Sequence, residues 1–166
     1  MTQSDIAVIA MPDSPGWELI TDGVMGGRSN GALHRGTIDG RRALRLRGEV
    51  SLENNGGFLQ MALDLDPDGG TVDASGWTGL EIEVIGNDET YNLHLRSADV
   101  VRPWQSYRQG FVAGPRWTVR RLPFAGFTPH RIDTPLDVGR LRRVGIVAIG
   151  RAFTADVAIG ALRLFR

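Results

Sequence analysis

RRALRLRGEVSLENNGGFLQMALDL, residues 41–65, carries the pattern that decides the fold. Leu44, Leu46, Val50 and Leu52 fall on one side of an extended chain, and Arg45, Arg47, Glu49 and Ser51 on the other. Successive strand side chains point to opposite faces, so this alternation predicts a strand with one buried and one wet face. Leu59, Met61, Leu63 and Leu65 line one face of a second strand. Between them, Asn54-Asn55-Gly56-Gly57 reads as a hairpin signal, because Asn followed by glycine tolerates positive φ. Asp39-Gly40, just upstream, predicts another hairpin turn for the same reason.

The same period extends outward. Leu80, Ile82 and Val84 alternate with Glu81 and Glu83, and Tyr91, Leu93 and Leu95 with Asn92, His94 and Arg96. Further strands are predicted over 106–112, 117–122, 144–149 and 158–165. Helical periodicity is scarce, and only Leu136 to Arg143 suggests a short helical turn. About ten short strands at this spacing predict an all-β chain: a two-sheet antiparallel β-sandwich of jelly-roll type. The alternation by itself does not separate a jelly roll from an immunoglobulin-like topology. With no repeat, low-complexity tract or linker, residues 1–166 are expected to form a single β-sandwich domain, with 1–14 as a partly ordered N-terminal extension.

Composition narrows the function classes. The 19 basic and 19 acidic side chains balance, which gives no electrostatic reason to expect nucleic acid as a partner. All the basic side chains are arginine, the residue suited to bidentate carboxylate pairs and to stacking on rings. Without cysteine there are no disulfides, thiol nucleophiles or thiolate metal sites. The apolar run 6–11 is too short for a signal peptide or a membrane span, so a cytoplasmic chain with no membrane span is expected. Histidines at 34, 94 and 130 lack metal-ligand spacing. Asp64, Asp66, Asp68 and Gly69 imitate the opening of a calcium loop, but Ser75 stands where its twelfth, acidic ligand is required. No metal and no cofactor are expected.

Three segments carry candidate binding residues. In DGVMGGRS (22–29), Asp22 accepts amide hydrogen bonds in a rigid turn or, with Met25 as an apolar contact, offers a ligand rim. In SLENNGGF (51–58), Glu53, Asn54 and Asn55 satisfy the turn or line a site, with Arg96 a candidate partner for Glu53. Third, Asn92, His94 and Arg96 share one strand face, with Trp104 and Tyr107 downstream. Rings beside amides and guanidiniums are what a saccharide needs, since a ring stacks on its apolar face while polar groups bind hydroxyls. The alternative for both rings is a place in the core or in a lid over the sheet. For acid–base catalysis only Asp22, Glu53 and His94 present themselves, and no catalytic residue is assigned.

DGVMGG, with Trp17 ahead of it, and VSLENNGGF together resemble the signature segments of the complex I intermediate-associated protein family. Weaker matches follow at 79–96, Trp117, Leu122-Pro123-Phe124, Phe127 and Leu136-Asp137. The resemblance implies a galactose-binding-domain-like jelly roll. It also implies a non-enzymatic, chaperone-like role in assembling NADH:ubiquinone oxidoreductase, with respiratory complex subunits or another protein as partner. Lacking a mitochondrial targeting pattern, the sequence is similar to bacterial members. A module that binds a glycan or small ligand on a concave sheet face is the alternative expectation.

Overall fold

The computed structural model describes residues 5–166. The side chains of Val24, Met25 and Asn55 lie outside what it describes, and with them the expectations placed on Met25 and Asn55. Twelve strands follow in order: β1 Ile6–Ala10, β2 Glu18–Thr21, β3 Asn30–Ile38, β4 Arg41–Val50, β5 Phe58–Asp64, β6 Gly79–Gly86, β7 Glu89–Ser97, β8 Ser106–Ala113, β9 Thr118–Pro123, β10 Thr128–His130, β11 Leu141–Ile149 and β12 Phe153–Phe165. Short 3-10 turns at Asp22–Met25, Glu53–Asn55, Phe124–Gly126 and Val138–Arg140 complete the described elements. The last of these is the helical turn predicted within 136–143. Among the described residues, no helix is long and apolar enough to cross a membrane.

The strands form two antiparallel sheets. The first runs β3-β4-β12-β6-β9, with β1 on the far half of β12; the second runs β10-β8-β7-β11-β5-β2. This is the jelly-roll sandwich that the alternation predicts. Leu44, Leu46, Ile82, Val84, Val157 and Ile159 of the first sheet meet Leu59, Met61, Leu93, Leu95, Val144 and Ile146 of the second in one continuous core. Each such side chain contributes about 1.5–3 kcal/mol by leaving water. Asp39 (φ 45°) and Gly40 (φ 78°) close the predicted β3–β4 hairpin with left-handed backbone at both turn positions.

The expected Asn54–Gly57 hairpin is corrected. β4 and β5 lie in different sheets, so this segment carries the chain across the sandwich. Asn54 does take left-handed backbone (φ 55°), but the turn does not return the chain to its neighbour. Strand β1 also forms within the stretch expected to be an extension, pairing with residues 162–165 of β12.

The outer face of the first sheet is a lattice of compensated charge. Glu83 pairs with Arg41 at 2.6 Å and with Arg163 at 3.1 Å. Glu81 joins Arg163 at 3.1 Å to Arg121 at 3.0 Å. Asp156 holds Arg45 at 2.8 Å, with both its oxygens accepting from the guanidinium.

A candidate ligand groove

The two glycine-bearing segments meet, and Asp22 is what joins them. One links β2 to β3 and the other β4 to β5, so both cross between the sheets. The Asp22 side chain is fully buried between them. Its carboxylate accepts from the Ser29 amide at 3.0 Å, from the Ser29 hydroxyl, and from the amides of Gly57 at 2.6 Å and Phe58 at 3.2 Å. Burial alone would raise the Asp22 carboxyl, but these donors outweigh it and hold it below the usual carboxylate range. A side chain at Gly56 would place its Cβ 2.5 Å from Asp22 Oδ2, and one at Gly27 would collide with the same carboxylate. The glycines in both motifs therefore clear space for one buried anion. Asp22 is a structural hub, with its hydrogen-bonding capacity spent within the fold.

Glu53 and Asn54 lie exposed on the second crossing segment. Arg96 is remote from them. Asp22 binds the Phe58 amide, Phe58 faces Ile149, and Arg96 faces Arg143 six positions along β11, or about 20 Å at a strand's rise. The expected Glu53–Arg96 pairing is thus corrected: a terminal guanidinium nitrogen of Arg96 donates to the Arg102 carbonyl at 3.2 Å. Asp22, Glu53 and His94 do not converge, so they do not form an acid–base set.

Asn92, His94 and Arg96 do share one face, on β7, the third strand of the second sheet. His94 and Arg96 line a groove of about 730 Å³ across the outer face of that sheet; Asn92 shares the face but not the lining. Register explains the lining. Gly145 sits between His94 on one side and Ala62 on the other, Val147 between Asn92 and Gln60, and Ile149 beside Phe58. On the other flank, His94 faces Arg108, and Ser106 faces His130. One end of the groove is cationic, with Arg96, Arg108 and Arg143. The other is apolar, with Ile20, Phe58, Val147 and Ile149. At Gly145 a side chain would collide with Gln60, whose carboxamide lies across the floor.

The two downstream rings part company. Trp104 is 57% exposed at the groove's lip, with the Arg102 guanidinium over its ring at 5.9 Å. Tyr107 is completely buried, and its hydroxyl donates to the Thr134 carbonyl at 2.5 Å. Of the two expectations for Tyr107, the structure takes the core placement: strand alternation that points Arg108 outward turns Tyr107 inward.

The groove's charges are unbalanced. Arg143 is answered by Glu18 and by Asp64 at 2.7 Å. Arg108 donates from Nε to the Ser106 hydroxyl at 2.9 Å, and neither it nor Arg96 forms an ion pair with a described carboxylate. His94 is only 8% exposed, and its Nε2 has no hydrogen-bond partner. Burial first, then the nearby Arg108 and His130 charges, push the His94 imidazole down to about 3, so it is neutral at physiological pH. No carboxylate is among the residues lining the groove. Sequence reading missed Val147 and Ile149 because β11 is apolar on both faces, a pattern that hides which side is outward.

Residues 7–161 match the family described as Complex I intermediate-associated protein 30. Among curated proteins, no relative matches the chain. Among solved structures, the chain is similar to a family 11 carbohydrate-binding module from Clostridium thermocellum in complex with a β-1,3-1,4-mixed-linked tetrasaccharide. The TM-score is 0.76 at 12% identity, over 99% of this chain and 97% of that one. A family 30 carbohydrate-binding module of a cellulosomal cellulase from the same organism gives 0.69 at 16% identity, over 96% of each chain. These likenesses establish a shared galactose-binding-like jelly roll.

Proposed function

Because the chain belongs to the complex I intermediate-associated protein 30 family yet has the fold of carbohydrate-binding modules, we propose that it is a non-catalytic binding module whose ligand, a saccharide or another small molecule, lies in the outer groove of the second sheet. The groove carries this reading. It joins an exposed ring, two carboxamides and uncompensated guanidiniums along one concave surface, and its size suits a small-molecule site. A catalytic role is disfavoured by the same lining. His94 stays neutral there, and no carboxylate stands beside it to take or give a proton. The solved module with its tetrasaccharide supports the saccharide option at the level of fold.

Titration with a panel of neutral oligosaccharides and small metabolites, followed by backbone-amide NMR shifts, tests the reading. Shifts are expected over 92–96 and 145–149, and weaker binding in Trp104→Ala. A panel that leaves those amides unmoved, or moves only the Asp22 region, sinks it.

Family membership favours a second reading, in which the chain is a chaperone-like factor for subunits of NADH:ubiquinone oxidoreductase. Affinity purification from the native cell is then expected to enrich those subunits or their precursors. Repeated recovery of none of them counts against it.

A further inference from the structure

We propose that the arginine end of this groove receives the anionic oxygens, carboxylate or phosphate, of a small organic ligand whose apolar body lies along Val147, Ile149 and Phe58. The inference rests on the groove being the binding site, and it adds the chemical class of what binds there.

Three observations carry it. The first is the contrast between the two outer faces. On the first sheet, Arg41, Arg45, Arg121 and Arg163 each meet a carboxylate. On the second, Arg96 and Arg108 stand half-buried without one. A guanidinium presents its donors as a planar fork that fits carboxylate or phosphate oxygens two at a time. Arg108 uses Nε on Ser106 and Arg96 uses one terminal nitrogen on the Arg102 carbonyl, which leaves donors on each for a ligand.

The second observation is His94. Its imidazole lies on the rung beside Arg96 and faces Arg108 across the sheet. More than nine-tenths of it is buried, yet Nε2, on the groove side of the sheet, meets no partner within the protein. Buried polar atoms are nearly always satisfied, so an orphan in a ligand groove points to a bound group. The surrounding field agrees. Burial first, then neighbouring positive charge, push Arg96, Arg108 and His130 all downward; the one opposing anion, Asp64 at Arg96, is already bound to Arg143 and does not reverse the shift.

The third is the gradient along the floor. From Gly145, beside His94, Val147 is two positions along β11 and Ile149 four, roughly 7 and 13 Å away. The floor thus passes from guanidinium through the Gln60 carboxamide to apolar side chains within the length of a small molecule. Pro103, Trp104 and Gln105 of the β7–β8 loop border the cationic end, where Arg143 is already paired with Glu18 and Asp64. An anionic head on an apolar body matches that order, and a uniformly neutral chain does not.

The test compares matched acids and neutral analogues on the full chain by calorimetry, with NMR to locate them. The probes are 4-phenylbutyrate against 4-phenylbutyramide, phenyl phosphate against phenol, and cellotetraose as a neutral saccharide. At least one acid is expected to bind tenfold or more tightly than its neutral partner, with shifts at His94 and Val147. Arg96→Gln and Arg108→Gln are each expected to weaken it tenfold at unchanged melting temperature, while Arg47→Gln on the other sheet leaves it unchanged. A preference for phenyl phosphate identifies phosphate as the head group, and a preference for phenylbutyrate identifies carboxylate. Equal affinity of acid and neutral analogue overturns the proposal. If cellotetraose meanwhile binds over the same strands, the groove reading survives without it. If none of the probes shifts the groove amides, both readings fall.

Discussion

Asp22 shows how much one side chain decides. Four donors converge on its buried carboxylate from two segments more than twenty residues apart. Asp22→Asn keeps the shape but replaces one acceptor oxygen by a donor, facing the Gly57 amide or Ser29. The expected cost is about 2–3 kcal/mol, read from urea unfolding at pH 7. Because the folded carboxyl sits below its unfolded value, its stabilisation is full above the unfolded value of 3.8 and disappears as pH falls through the folded one. The gap between wild type and Asp22→Asn is therefore expected to narrow in acid. His94 gives a different window. Folded His94 resists protonation down to about 3, whereas the unfolded residue takes a proton near 6.5. Stability is unaffected by it above 6.5 and falls below, by at most about 1.4 kcal/mol per pH unit. Arg108 and His130 are the charged groups that press on it. Between pH 6.5 and 5, wild type is expected to lose up to about 2 kcal/mol more than His94→Gln; parallel curves for the two proteins would refute the buried-neutral assignment.

Among the elements, β4 and β7 behave as their alternation says. Leu46 is buried and Arg47 is not, so Leu46→Ala is expected to cost about 2–5 kcal/mol and Arg47→Ala under about 0.5 by denaturant unfolding. Comparable losses would contradict the inward and outward assignment. Much of the fold was legible for this reason: half-wet strands announce their period, as in Leu46 against Arg47. The same rule exposed Asn92, His94 and Arg96 as one face. What stayed hidden was of two kinds. Where β11 is apolar on both sides, Val147 carries no mark of facing a groove. Where turn chemistry is local, Asn54–Gly57 looks the same whether the chain returns or crosses; the deciding group, Asp22, lies 35 residues before Gly57.

At the scale of the whole molecule, both sheets share one core, and segments closing one end are tied to each other through Asp22. Unfolding is expected to be a single cooperative transition, with coincident curves from tryptophan fluorescence and far-ultraviolet dichroism. Hydrogen exchange is expected to be slowest in the central strands β11 and β12 and fastest in the edge strands β3 and β10. A β12 that exchanges as fast as β3 would contradict the sheet order.

The uneven neutralisation of the two outer faces has a practical consequence. A chain whose formal charges sum to zero should slip past an ion exchanger at pH 7, yet one side of this protein keeps guanidiniums with nothing to offset them. At low ionic strength it is expected to adhere to a sulfonated resin through that side and to wash off at modest salt. Molecules so captured would all hang the same way round, with the self-paired ladder of the opposite sheet turned toward the solvent.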